Sequence, residues 1–281
     1  VTAKPSRRAA LAARRAALAK RERVAKRPAV PLDVAEAYAG ALRSLNRDLA
    51  AEVRAFVRPW LDARREEQRA EAREDAAGDL DFGLLRVRLE KIAKDRALDL
   101  VDRFGRRINK WNVEDLAAVL RIDIDAEPPA ILRLLEAWRR ENVGLITSIA
   151  KRLHGDVRDV VRAGAREGTR VETIADQIRE RFDVSQSRAN LIARDQILKG
   201  NGDLTVARCS EVGITHYRWS TSRDERVRGN PSGKWPKGLH YALDGKIFAF
   251  ADPPIVNLEG DRANPGTDYQ CRCVAIPILG D

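Results

Sequence analysis

Two cysteines separated by a single residue, Cys271 and Cys273, close the most irregular stretch of this chain, and a histidine, His240, precedes them in the same stretch. On an extended strand, residues two apart point to the same face, so both thiols address one place. A disulfide between them would be strained, because their side chains emerge in parallel. Together with His240 they offer three soft or borderline donors suited to a structural zinc, with Asp224 the candidate fourth. The spacing departs from the Cys-x-x-Cys knuckle of common zinc sites. A second reading needs no metal: two small buried residues and a hydrogen-bonded histidine that close a core. The residues alone leave both open.

Upstream of His240 runs Asp224-Glu225-Arg226-Val227-Arg228. If extended, it sets Asp224, Arg226 and Arg228 on one face, either as a solvated charged stripe or with Arg226 or Arg228 making fork-shaped hydrogen bonds to a carboxylate. A metal-dependent hydrolase such as a nuclease would draw on His240 with Asp224, Glu225 or Asp244. Against it, the chain has no H-E-x-x-H, no G-x-x-x-x-G-K, no G-x-S-x-G and no nucleophile with a paired base. His154 and His216 have no partner pattern and are expected at the surface or in caps.

These residues must be positioned by what comes before them. Tyr38, Leu42, Leu45, Leu49, Val53, Phe56 and Trp60 recur at helical spacing, with Asp33 as N-cap and Pro59 expected to end or kink the helix near Arg58. The charged run from Asp62 to Asp75 reads as a solvated extension, and Gly78 to Gly83 as a break. A second helical period runs from Leu85 to Trp111, with Asn112 capping a short helix to Arg121. Pro128 and Pro129 open the next helix, interrupted at Gly144. A further helix from Leu153 to Ala165 ends at Gly168. Thr169 and Glu172 form a capping box for another, and Ser185 caps the one after it. From Gly213 the period changes to two. Short strands are expected around Tyr217 and Trp219, from Lys246 to Phe250 and from Cys271 to Ile278. The fold class is α+β: a long, mostly helical N-terminal part followed by a compact C-terminal module of helices and a small antiparallel sheet. The expected division is a basic arm at 1–31, disordered unless bound, a helical assembly region at 32–140 and the α+β module at 141–281. No repeat of solenoid length occurs.

Charge separates the arm from the rest. The chain of 281 residues carries a net charge of +10. Lys4, Arg7, Arg8, Arg14, Arg15, Lys20, Arg21, Arg23, Lys26 and Arg27 stand against Glu22 alone, so the remainder is nearly balanced. A basic tail on a balanced body points to contact with nucleic acid or an acidic surface through the tail, the other possibility being a plain solvated tail. Three cysteines are too few for a secreted disulfide framework and fit a reducing compartment. No apolar run approaches a membrane span, and the N-terminal stretch lacks a secretory signal's apolar segment.

From Asn142 to Ile276 the order of motifs resembles the Mu-F-type head morphogenesis family of tailed-phage minor head proteins. The residues that carry it are Ala189-Asn190-Leu191-Ile192-Ala193-Arg194-Asp195, Tyr217-Arg218-Trp219-Ser220-Thr221, Asp224 to Arg228, His240, Leu243-Asp244-Gly245, Pro253-Pro254, Pro265-Gly266 and Cys271-Arg272-Cys273. The resemblance implies a virion structural protein and no enzyme. It would be a minor capsid component associated with the portal and other head proteins, assisting head morphogenesis or DNA packaging from the capsid interior or portal region after assembly in the host cytoplasm. It also implies that Asp224, Arg226, Arg228 and His240 form one internal network. Where this chain has Arg194-Asp195-Gln196, the family more often shows an arginine, a small residue and a glutamate, so the acidic side chain here is the shorter Asp195.

Overall fold

The computed structural model describes residues 9–13, 25–70 and 80–279. Four long helices precede a small sheet: α1 Leu32–Ala70, α2 Phe82–Leu120, α3 Pro129–Glu167 and α4 Val171–Glu211, then β1 His216–Ser220, the single turn α5 His240–Leu243, β2 Ile247–Ala249 and β3 Val274–Pro277. β1 is the central strand, antiparallel to both neighbours, with Tyr217 opposite Phe248 and Trp219 opposite Ala275. The α+β class is as expected.

The helices are longer than their local punctuation suggests. Pro59 lies inside α1, where buried Val57 and Trp60 hold the helix through the missing N–H. Asp33 sits in the first turn of α1 and not at its cap, where its charge complements the helix N-terminus. Asn112, Gly144 and Ser185 lie in uninterrupted α2, α3 and α4. Asn112 and Ser185 are buried hydrogen-bonding residues instead of caps. The Ser185 hydroxyl donates to Asn46 Oδ1 (2.6 Å), and Asn112 Nδ2 donates to Asn201 Oδ1 (2.8 Å) and Thr205 Oγ1 (2.9 Å). The Thr169 capping box is displaced as well: α4 starts at Val171, whose N–H is accepted by Gln68 Oε1 (3.3 Å). A cap unforeseen in the sequence is Asp81, whose carboxylate accepts the Leu84 N–H (3.0 Å).

The chain forms two compact units that interleave in sequence. One comprises Glu36–Arg103 and Arg139–Ala193; the other comprises the residues up to Ala35, Phe104–Trp138 and those from Arg194 on. Helices of 39 to 41 residues are each about 60 Å long, so different stretches of one helix can bury in different cores. This division does not coincide with a linear boundary at 140.

Among its described residues the first unit consists of helices and the short turns that join them. Its core is the apolar stripe of α1 (Leu42, Leu45, Leu49, Val53) with Leu85 and Leu89 of α2, Ile149 and Leu153 of α3, and Ile174 and Ile178 of α4. The Tyr38 hydroxyl donates to Asn142 Oδ1 (3.1 Å), and Asn46 Nδ2 donates to the Phe182 carbonyl (3.2 Å).

The second unit holds the sheet. Its core gathers Leu116, Leu120, Cys209, Val212, Tyr217, Trp219, Phe250, Val256, Cys271 and Cys273. Ala25 is buried in it, Leu11 packs against it, and Arg27 donates to Ser220 Oγ (3.0 Å) and the Thr221 carbonyl (3.3 Å). The root of the arm is therefore fastened to this unit. Arg208, 1% exposed, donates to Asn112 Oδ1, Asn109 Oδ1 and the Ala126 carbonyl, and burial pulls its pKa down to about 10.

Candidate functional site

After β1 the chain has few apolar residues, and backbone pairing gives the excursion its shape. The Gly229 N–H reaches the Trp235 carbonyl (2.8 Å), Lys234 N–H the Glu225 carbonyl (2.7 Å) and Tyr241 N–H the Arg228 carbonyl (2.9 Å). Gly229 has φ +82°, and a Cβ there would lie 2.2 Å from the Gly238 carbonyl oxygen, so only glycine fits. These pairings deliver His240 to the start of α5, where its ring meets that of Trp219 in a T-shaped contact, with centroids 5.4 Å apart at 85°.

His240 is 2% exposed, and both Cys271 and Cys273 are buried. Each cysteine sulfur lies 3.5 Å from His240 Nδ1. The ligand atoms of the three residues all fall within 4.8 Å of one another. On the far side of the ring, Nε2 lies 3.0 Å from Asp268 Oδ2, which also takes an ion pair from Arg228 at 2.6 Å. The carboxylate assigns the ring proton to Nε2 and leaves the Nδ1 lone pair facing the two sulfurs.

Cys271 to Cys273 lie just before β3, not in a strand as expected. A tight reversal turns both sulfurs inward: Gln270 takes φ +52°, the Cys271 N–H donates to the Asp268 carbonyl (3.1 Å), and the Cys273 N–H donates to Cys271 Sγ (3.4 Å). Asp195, 7% exposed on α4, holds this reversal by accepting the Gln270 N–H at Oδ1 (2.7 Å), while Lys199 pairs with its Oδ2 at 3.1 Å. A short carboxylate suffices for that reach.

The cluster's electrostatics follow from its contacts. Cys273 beside it, then His240, hold the Cys271 thiol well below the ordinary range. The neighbouring Cys271 sulfur and burial push Cys273 well above it. Burial pulls His240 down, but the Asp268 hydrogen bond and Cys271 more than reverse this, and its pKa is raised.

The remaining candidates go elsewhere. Asp224 is not a fourth member of the cluster: Arg272 grips it with two parallel bonds, Nη2 to Oδ1 and Nη1 to Oδ2, both 2.7 Å. That fork, with the Arg226 N–H and Ser222 hydroxyl on Oδ1, holds Asp224 below the usual carboxylate range. The expected network of Asp224, Arg226, Arg228 and His240 is therefore two separate assemblies. One is Asp224 with Arg272 and the backbone of Arg226; the other is Arg228, Asp268 and His240. Asp268 and Arg272 escaped the sequence reading because an acid or base beside Cys271 has no spacing rule to mark it. Glu225 pairs with Lys234 (2.8 Å), and Asp244 Oδ1 accepts the Thr221 N–H (2.7 Å) while its Oδ2 pairs with Arg223 (3.3 Å). A hydrolytic centre on His240 would need one of these carboxylates, and each is bound elsewhere. His154 is no surface residue without a partner: its Nε2 lies 2.9 Å from the Phe82 carbonyl. Of the arm residues proposed to contact DNA or an acidic surface, only Lys26 and Arg27 fall within the described residues; Arg7, Arg8, Arg14, Arg15, Lys20, Arg21 and Arg23 lie outside them.

Long helices lead into a small sheet, and a loop excursion beside it is clasped by buried histidine, cysteine and ion-pair contacts. Residues 155–276, which hold the clasp residues His240, Asp268, Cys271 and Cys273, are similar to the family described as phage Mu protein F like protein. An uncharacterized protein of Haemophilus influenzae (strain ATCC 51907 / DSM 11121 / KW20 / Rd) is 39% identical over 165 residues, which are 59% of this chain and 33% of that protein. The chain thus matches about a third of the relative's length. No solved structure matches.

Proposed function

We propose that this chain is a minor head protein of a tailed phage, associated with the portal region and assisting head morphogenesis or DNA packaging. The observation that supports it most is the family match over 155–276, the segment that contains every element of the clasped module. Two physical features fit the role. Long amphipathic helices suit docking within a larger assembly, and an arm that concentrates the chain's positive charge suits packaged DNA, where neutralised phosphates release counterions. No helix among the described residues is long and apolar enough to cross a membrane.

The test is fractionation of particles from the phage or prophage that encodes the chain. The protein should remain with purified portal or with DNA-filled heads; its absence from both would overturn the reading. The DNA contact is tested separately by deleting residues 1–24, a cut that spares buried Ala25 and the Arg27 anchor. Non-specific DNA affinity should fall at least about tenfold at ~0.1 M salt, and the salt slope should flatten by several units. An unchanged slope would place the contact elsewhere.

A further inference from the structure

We propose that His240 Nδ1 and the thiolates of Cys271 and Cys273 bind one zinc ion that locks the C-terminal excursion, with water as the fourth ligand. The inference does not depend on the assembly role.

The spacing carries it. Bonds of ~2.3 Å to sulfur and ~2.0–2.1 Å to nitrogen at tetrahedral angles separate those ligand atoms by about 3.6 Å. Both sulfurs stand 3.5 Å from Nδ1. A histidine that ligates zinc characteristically gives its other ring N–H to a carboxylate, which orients the ring and raises its basicity. Asp268 stands at that nitrogen, 3.0 Å away, and is itself fixed by Arg228. Without a cation, the single Nδ1 lone pair can accept a proton from only one of the two thiols that stand 3.5 Å from it. A cavity large enough for about one water borders both cysteines, with Asn201, Thr205 and Pro265 but not His240 in its lining, and is a source of water on the sulfur side of the site. Asp268 is not that ligand, because it engages the opposite nitrogen.

The site would be structural. It ties α5 to the segment before β3, within an excursion that is also fastened by backbone pairings, by the Asp224–Arg272 fork and by buried Leu243, Phe250 and Val256. Zinc binding releases the thiol protons, so the bound form becomes the folded form of this excursion.

The experiment is elemental analysis of the full chain, purified without a histidine tag under reducing conditions and reconstituted with zinc. One zinc per chain is expected. Cobalt(II) in its place should give intense near-ultraviolet sulfur-to-metal absorption, which surface-bound metal would not produce. Cys209→Ser should leave both readouts unchanged, since that buried thiol lies outside the cluster and its pKa is pushed up to about 12. Cys271→Ser should abolish them. Should that variant not fold, Asp268→Asn retains all three ligands and should weaken zinc about 10- to 100-fold in competition with a chelator. The proposal is overturned if reconstituted wild-type protein holds less than about a tenth of an equivalent of zinc. It is equally overturned if cobalt binds without the sulfur bands, or if the protein resists reconstitution because Cys271 and Cys273 are joined as a disulfide.

Discussion

The helical unit and the sheet-bearing unit achieve order by different means. In the first, apolar stripes on four helical stretches bury one another, and a few buried polar groups such as Asn46, Asn142 and Ser185 fix which faces meet. In the second, the chain from Ser222 to Cys273 has too few apolar side chains to form a core of its own. There Arg272 on Asp224, Asp268 on His240, Asp195 on the Gln270 backbone and the inward-facing cysteines set its course. Regular apolar spacing organises the one; in the other an apolar core is joined by individually placed polar contacts that set the course of the loop.

Substitutions can break or sharpen this contrast. The largest loss is expected from Leu45→Ala, which removes a fully buried side chain of the helical stripe and should cost about 2–5 kcal/mol in denaturant unfolding followed by circular dichroism. Arg208→Ala in the other unit should cost about 3 kcal/mol, because the Asn109 and Asn112 side-chain oxygens lose their buried donor. If Arg208→Ala were neutral while Leu45→Ala was severe, polar placement would not be what organises the second unit. Ser185→Ala should cost about 1–2 kcal/mol by stranding Asn46 Oδ1. At the small end, Arg65→Ala loses exposed ion pairs with Asp62 and Glu172 and should leave the denaturation midpoint nearly unchanged, the more so at high salt.

The same contrast explains what the sequence discloses. Helical periodicity marks the stripe from Tyr38 to Trp60, and period-two alternation marks β1, because burial of one face imposes those repeats. Punctuation residues mislead: Pro59, Asn112, Gly144 and Ser185 all read as interruptions, yet each lies within a continuous helix. The reason is physical. Buried neighbours can compensate a lost N–H or a flexible glycine, and an asparagine or serine has the same chemistry at a cap as at a contact between helices. In the site, His240, Cys271 and Cys273 are legible as donors because few other roles call for that set. Asp268, Arg272 and Asp195 are not, since charged residues are common and their partners are decided by how the loop closes. The fork-shaped pairing expected of Arg226 or Arg228 is formed instead by Arg272.

The central claim is that side chains meeting at His240 order the C-terminal excursion, whereas apolar packing orders the helices. Native-state hydrogen exchange of wild-type protein and His240→Ala, read amide by amide, tests it most directly. The predicted result is exchange at least about tenfold faster at Gly229, Tyr241, Cys271 and Cys273 in the variant, with the amides of Leu42 to Val53 unchanged. Unchanged protection in the excursion, or equal acceleration in both regions, would contradict the claim.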